Sequence, residues 1–412
     1  MKKNGLIIAS TALLFAACSS NDAFKEIETT QIPIDFVSYS QPATKATENN
    51  QADYDWALKD HHGSFDVWGY RTNGSTNTWV FTKQLVSYAS ASSAWSYTPV
   101  RYWDKAADSY TFFAAAPSNA NWTFKDNTDA NNTEKNDNYT QQYYLTYTGL
   151  SISDHDATTA TINTVTSDNY TNSFNTAAAG KDLMIAAPCT WTNIGTAVNL
   201  NFIHILSRLN VIIQRGEDLT DDDVLKLVEF KVFGFKSTGN FKENANNAVA
   251  TTPGTPSRWS SLSGSVDYTS TYATSSSPLE VKYDYDNNAT HEGHSVKQYV
   301  LQSLVIPQPI TYEDINIKGK QTAAPTTAAA QAYIYIKYSI TNQTWSTSEK
   351  TETFEGYYNL AAAFGATDQN TTIAFNEGWQ NNLTIRIQPS VINFDPMVSE
   401  WSNYVQNNYS IR

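Results

Sequence analysis

Two groups of side chains that could bind a metal ion lie close together in one polar stretch of the chain. His291 and His294 flank a glutamate, but they lack the His-Glu-x-x-His spacing of a zinc helix, and no cysteine is nearby. Asp284, Asp286 and Asn288 resemble the first ligands of a calcium loop, yet the sixth position is alanine and the twelfth is serine. We interpret both groups as solvated loop and expect neither a metal nor a cofactor.

Motifs of known catalytic centres are missing from the sequence. It contains no G-x-S-x-G elbow, no Walker sequence and no G-x-G-x-x-G. His204 follows an apolar strand pattern, which favours a structural histidine with satisfied hydrogen bonds. The formal net charge of −13 disfavours a nucleic acid partner, which would require clustered lysine and arginine. The sequence therefore predicts a protein that is not an enzyme.

One cysteine has a context that indicates covalent modification. Cys18 follows two lysines and an apolar run of 12 residues, which is shorter than the roughly 20 residues that span a bilayer. The run ends in Leu-Phe-Ala-Ala, and small residues directly before a cysteine resemble a bacterial lipoprotein cleavage box. We expect residues 1–17 to be a signal peptide and Cys18 to carry acyl chains that anchor the protein in the outer membrane. An ordinary signal peptide with a chance cysteine is the alternative.

A short strand pattern follows this leader. Ile32, Ile34 and Phe36 alternate with proline and aspartate, which is the period of a strand with one buried face. Pro33 has no N–H to donate, so the strand should begin there or lie at the edge of a sheet.

The linker after this strand contains a single basic residue. It is polar, and we expect a trypsin-like protease to cut it between Lys45 and Ala46. Residues 18–45 would then be a propeptide. Its removal would leave a groove where the strand had been, and a strand of another subunit could fill that groove.

The composition favours β-structure throughout. Tyrosine (25), phenylalanine (18) and tryptophan (11) are plentiful, while charged residues make up only 16% of the chain. Short alternating patterns are separated by asparagine, glycine and proline, with no regular strand–helix rhythm. These patterns predict an all-β protein built from antiparallel β-sandwiches.

Weak internal similarity indicates two copies of one β-unit. Residues 65–70 follow an Ile-Asp-Phe sequence, and residues 230–235 follow a Leu-Asn-Phe sequence at nearly the same spacing. We therefore predict one domain over residues 46–194 and a second over residues 195–412. The polar stretch Ser237 to Ser295 should be a surface loop of the second domain, with a hairpin near Leu279 to Tyr285.

The C-terminal segment is too apolar to be disordered and resembles the N-terminal strand. Ile392 and Phe394 have the same spacing as Ile34 and Phe36, and Val398 and Trp401 continue the apolar pattern. A removable strand and a similar C-terminal one are what strand replacement between subunits requires.

Together these segments resemble the fimbrillin family of Bacteroidales type V pili. The resemblance rests on the cleavage box at Cys18, the strand and basic linker up to Lys45, and five further motifs in a fixed order. These are FDVWGY (65–70), WSYTPVRYWDKAADSYTFFAAAP (95–117), NLNFIHILSRLNVII (199–213), LVIPQ (304–308) and INFDPMVSEW (392–401).

The resemblance implies two transthyretin-like β-sandwich domains in tandem and a lipoprotein precursor exported to the cell surface. It further implies that a trypsin-like protease removes the N-terminal strand, and that the C-terminal segment of one subunit fills the groove of the next. Lysine stands at the cleavage position where arginine is usual. An uncut, lipidated subunit would be a pilus anchor or a tip adhesin, and a glycan-binding surface lipoprotein is the other alternative.

Overall fold

The computed structural model describes most of the chain between Gln31 and Glu400. The described residues are 31–40, 58, 62–89, 94–133, 135, 141–153, 164–165, 182–216, 218–220, 222–243, 258–270, 272–281, 283–284, 294–295, 297–312, 331–342, 350–368, 371–388 and 392–400. They form 25 strands and one short helix, α1 at Leu360–Ala363. No helix among them is long and apolar enough to cross a membrane.

A seven-stranded sheet is formed largely by the first half of the chain. Its strands are β1 (Phe36–Ser40), β2 (Ser64–Asn73), β3 (Thr76–Ala89), β4 (Ala94–Ser96), β5 (Ser109–Ala116), β9 (Met184–Trp191) and β10 (Val198–His204). Their order is β1-β10-β9-β5-β2-β3-β4, so β1 lies at an edge.

Two five-stranded sheets are formed largely by the second half. The first contains β25 (Ile392–Glu400), β24 (Trp379–Ile387), β11 (Ser207–Arg215), β19 (Lys297–Val305) and β8 (Thr164–Val165), in that order. The second contains β15 (Val266–Thr269), β12 (Asp223–Phe235), β21 (Tyr333–Asn342) and β22 (Lys350–Asn359), with β16 (Leu279–Glu280) paired beside β12.

The remaining strands form smaller sheets. A four-stranded sheet has the order β14 (Trp259–Ser263), β13 (Thr238–Lys242), β7 (Tyr143–Ser151) and β6 (Trp122–Asp126). Two ladders pair β17 (Tyr283–Asp284) with β18 (His294–Ser295), and β20 (Gln308–Thr311) with β23 (Thr372–Phe375). The prediction of an all-β protein with antiparallel sheets is confirmed. Two strand pairs depart from it, because β1–β10 and β11–β24 are parallel.

The seven-stranded sheet is buried on both faces. Phe65 and Val67 of β2 belong to one core cluster, which also contains Phe202 of β10. Trp68, the next residue of β2, belongs to the other cluster, which continues through the sheets of the second half. Because successive side chains of a strand point to opposite faces, this sheet separates the two cores.

The four-stranded sheet joins segments from both sides of the predicted division at residues 194 and 195. Strands β6 and β7 precede it and β13 and β14 follow it, and Gly239 pairs with Leu150 across the junction. The prediction of a surface loop from Ser237 to Ser295 is therefore wrong for the residues of this stretch that the structure describes. Phe241, Trp259 and Tyr268 of this stretch are buried in the larger core. Its abundant serine and threonine concealed short strands whose alternate residues are large and apolar.

A buried charge cluster lies beside this junction. The Glu243 carboxylate accepts a hydrogen bond from the Leu145 N–H at 2.8 Å, and the Glu243 N–H donates to the Leu145 carbonyl at 3.0 Å. Arg258 donates from Nε to Oε2 of Glu377 at 2.8 Å and stacks over the Phe241 ring at 5.1 Å. Burial raises the pKa of Glu243 to about 7, although the leucine N–H and the Arg258 charge oppose this rise.

We expect Glu243→Gln to remove a pH dependence of stability. The folded-state pKa of about 7 exceeds the ordinary value of 4.5, so the stabilisation from the neutral carboxyl is present below pH 4.5 and lost as pH rises towards 7. Glutamine keeps an acceptor for the Leu145 N–H without the charge. The variant should therefore match the native protein near pH 4.5 and exceed its unfolding free energy by up to about 3 kcal/mol at pH 8. Urea denaturation at both pH values tests this, and a difference independent of pH would contradict it.

Candidate functional site

The N-terminal strand pairs on one side with β10. The pairing is parallel and runs from Phe36 opposite Val198 to Ser40 opposite Phe202. The Val198 N–H donates to the Asp35 carbonyl at 2.7 Å, which extends this pairing one residue upstream of β1. Pro33 precedes the strand and forms only an isolated bridge, so β1 has the edge position that the proline predicts.

The other side of the same segment is bonded to the chain that follows β4. The Ile34 N–H donates to the Arg101 carbonyl and the Trp103 N–H donates to the Ile32 carbonyl, both at 2.9 Å. The Tyr97 hydroxyl donates to the Ile34 carbonyl at 2.7 Å. Burial raises the pKa of Tyr97 to about 12, so the hydroxyl keeps its proton at neutral pH. Residues 32–34 are therefore bonded to residues 97–103, and residues 35–40 are bonded to β10.

Alternate side chains of this segment fill the smaller core. Ile34 and Phe36 are buried, and Ile32 packs against the same cluster. The Phe36 ring lies in a pocket of four aromatic rings, with centroid distances from 5.6 to 6.4 Å. These four rings belong to Phe65, Phe81, Tyr97 and Phe112. Asp35 and Val37 point outward and are exposed.

The sequence did not predict that residues 97–103 pair with the N-terminal segment. We call residues 97–103 the wall. The block 95–117 contributed to the family resemblance, but nothing in its composition indicated that it pairs with residues 32–34. Its signal was the aromatic alternation of Trp95, Tyr97 and Trp103, which is typical of a strand beside an apolar core. Trp103 is buried against Tyr110 at 4.6 Å.

The predicted donor segment begins with an edge strand of its own chain. In β25, Ile392 pairs with Ile387 and Phe394 pairs with Ile385 of β24. Ile392 and Phe394 are only half-buried, and the Phe394 ring contacts Tyr358 at 5.3 Å. Val398 is exposed, and Trp401 lies outside the described residues. Cys18, Lys45 and Ala46 also lie outside them.

The structure places His204 and Cys189 in ordinary structural roles. His204 is buried, and its Nδ1 lies 2.9 Å from Oδ1 of Asp182. This agrees with the interpretation of His204 as a satisfied structural histidine. The Cys189 thiol donates to the Asn199 carbonyl at 3.7 Å, and burial raises the pKa of this thiol.

The two candidate metal groups are only partly described. His294 of β18 pairs through its backbone with Asp284 of β17. His291, Asp286 and Asn288 lie outside the described residues. Within the described ranges, no three histidine, cysteine or acidic side chains are grouped as a metal site would require.

Solved structures that resemble this chain include a fimbrial protein and candidate cell adhesion proteins of Bacteroides. No family profile matches the sequence, and a search of curated proteins finds no significant match. A fimbrial protein from Bacteroides vulgatus is 15% identical, with a TM-score of 0.47 over 90% of this chain and 100% of that one. Candidate cell adhesion proteins from Bacteroides ovatus (10% identical, TM-score 0.41) and Bacteroides uniformis (13%, 0.38) each match 90% of this chain and 98% of their own. The structural neighbours are thus fimbrial and candidate adhesion proteins, at low sequence identity.

Proposed function

We propose that this protein is a structural subunit of a cell-surface fimbria and that its subunits assemble by exchange of an edge strand. One observation carries this proposal. β1 and β25 are both edge strands, and an Ile-x-Phe pair lies at the start of each. Ile34 and Phe36 are buried in an aromatic core, whereas Ile392 and Phe394 are only partly buried. The C-terminal pair has the same two side chains as the N-terminal pair, but it is less deeply buried in its own subunit.

Loss of the N-terminal segment would open a groove that requires a new strand. The N–H groups of Val198 and Trp103 and the Arg101 carbonyl would lose their partners. Each buried polar group without a partner costs about 1–3 kcal/mol. The aromatic pocket around Phe36 would also be exposed to water. A strand from another subunit would restore the hydrogen bonds through its main chain and fill the pocket with its side chains.

Strand β25 is suited to this exchange because it is paired along one side only. It has β24 as its one sheet neighbour, and Pro396 within it cannot donate to a ladder. Moving Phe394 from a half-exposed position into the Phe36 pocket would bury more apolar surface, at about 25 cal/mol per Å². Because donor strand and groove are different surfaces of the same molecule, repeated exchange builds a filament.

Export and processing complete the proposal. Cys18 would be acylated and anchor the precursor in the outer membrane, and a surface trypsin-like protease would then cut between Lys45 and Ala46. The partners are other copies of this chain or other fimbrial subunits, and the assembled fimbria would support adhesion to a host or bacterial receptor. This role requires no catalysis.

The processing step is tested by Lys45→Ala. We expect this variant to keep the N-terminal segment and to form no polymers on the cell surface, because a filled groove excludes a donor. Lys25→Ala is the control, since Lys25 also precedes the domain but should not be the cleavage point. N-terminal sequencing and SDS-resistant ladders provide the readout. Normal fibres from the Lys45 variant would reject the cleavage step, and a native monomer with a lipidated Cys18 would favour an anchor, a tip adhesin or a glycan-binding lipoprotein instead.

The donor role is tested by Phe394→Asp. A carboxylate cannot enter the aromatic pocket without a large desolvation cost, so we expect this variant to lose its ability to donate a strand. It should still accept a strand at its groove and thereby cap growing polymers of the native protein. Asn393→Asp is the matched control, because Asn393 is the exposed neighbour on the same strand. Equal polymer yields from both variants would exclude β25 as the donor.

A further inference from the structure

Two exposed apolar side chains lie beside the N-terminal segment at the end where a replacing strand would begin. Tyr102 forms an antiparallel bridge with Pro33, and it is 47% exposed. Val100 is also 47% exposed and lies two residues earlier in the chain, with the exposed Arg101 between them. We call Val100 and Tyr102 the rim patch. Contact with another subunit at this position would remove the apolar surface of both side chains from water.

Departure of β25 would uncover a second apolar surface. Ile385 and Ile387 are now completely buried, and they pair with Phe394 and Ile392. Tyr358 packs against the Phe394 ring. Once β25 had left, all three side chains would lose this cover. We call Ile385, Ile387 and Tyr358 the uncovered patch.

The chain itself would bring these two patches together. If Ile392 takes the position of Ile34, then residue 391 takes the position of Pro33, directly opposite Tyr102. The end of β24 at Ile387 is then four residue steps along the chain from this position opposite Tyr102. Four extended residues span at most about 14 Å, so the end of β24 cannot lie far from the rim patch of the accepting subunit.

We propose that the uncovered patch of one subunit packs on the rim patch of the next, as a second contact beside the exchanged strand. The inference rests on the proposed strand exchange, and its occupant is a second copy of this chain. The contact would again remove from water the apolar surface that the departing strand exposes, so that exchange leaves no exposed patch on the donor. It would also hold successive subunits in a defined orientation, which a strand on a flexible link would not.

A cross-linking experiment tests the arrangement. Tyr102→Cys and Gln388→Cys are combined in a Cys189→Ser background, and polymers are treated with a bismaleimide that spans about 10 Å. This is the distance that three extended residues cover between position 388 and position 391, which lies opposite Tyr102. We expect cross-links between neighbouring subunits, absent from the uncut precursor. Leu85→Cys replaces Tyr102→Cys in the control, because Leu85 is also 47% exposed but lies elsewhere on β3. Equal cross-linking of both pairs in normal polymers would overturn the inference and leave strand exchange intact.

A second variant separates this contact from the strand itself. Tyr358→Ala alters the uncovered patch and leaves the groove unchanged, so a synthetic peptide of residues 390–400 should bind the cut variant with native affinity. Whole subunits should dissociate about tenfold faster from polymers of this variant, because the second contact between subunits is weakened. The exchanged strand, which the peptide represents, is unchanged. Native dissociation of the subunits would overturn the inference. Failure of the peptide to bind even the native cut subunit would overturn strand exchange, and with it this contact.

Discussion

Replacing Phe36 with alanine is expected to lower the free energy of unfolding by about 3–5 kcal/mol, the usual cost of removing a buried aromatic ring. Phe36 is only 5% exposed, and its ring contacts four aromatic neighbours that belong to three different elements and the wall at residues 97–103. Three of these neighbours lie on the paired strands β2, β3 and β5 and cannot collapse into the cavity without breaking the sheet. The cavity should therefore remain, and the loss should lie towards the upper end.

The same variant should also loosen the N-terminal segment. We expect faster proteolysis of the linker after β1, because the buried ring is the largest apolar anchor of that strand. Val37→Ala is the control, since Val37 is the next residue and is 46% exposed, and its loss should be below about 0.5 kcal/mol. Urea denaturation followed by tryptophan fluorescence measures both variants. Similar losses of unfolding free energy for the two variants would contradict the burial of Phe36 in the core.

Replacing Arg258 with methionine is expected to cost about 3–5 kcal/mol at pH 8, because it leaves buried carboxylates without their cation. Arg258 forms two hydrogen bonds to one carboxylate oxygen of Glu377, and both side chains are almost fully buried. Burial raises the pKa of Glu377 and Glu243, and the Arg258 charge opposes both rises. Without the arginine the two pKa values should rise further. The cost should consequently shrink at pH 5, where the carboxyls can take up protons and become neutral.

A second substitution distinguishes the lost ion pair from lost packing. Arg258→Met combined with Glu377→Leu should recover much of the stability at pH 8, since an apolar pair can replace a buried ion pair. Arg386→Met is the control, because the Arg386–Asp395 pair is exposed and should contribute less than about 1 kcal/mol. Chemical denaturation at pH 5 and pH 8 provides the measurement. An equal loss at both pH values would show that the cost comes from packing alone.

The sequence predicted the fold class and the local properties of the edge strands. Alternation at Ile32, Ile34 and Phe36 predicted one buried face, and Pro33 predicted an edge, because both effects act within a few residues. It did not predict the extent of strand structure between Ser237 and Ser295. The serine-rich strands there carry few apolar residues, and burial of Phe241 and Trp259 depends on partners far away in the chain.

What the sequence by itself determined is the all-β character, the two Ile-x-Phe pairs and the single basic residue of the linker after the first pair. Only the tertiary structure decided which strands are neighbours. The parallel pairing of β1 with β10, the wall at residues 97–103 and the mixed four-stranded sheet all join residues distant in sequence. The physical reason is that a period of two determines which face of a strand is buried. The choice of partner depends on how whole sheets pack to remove their apolar faces from water.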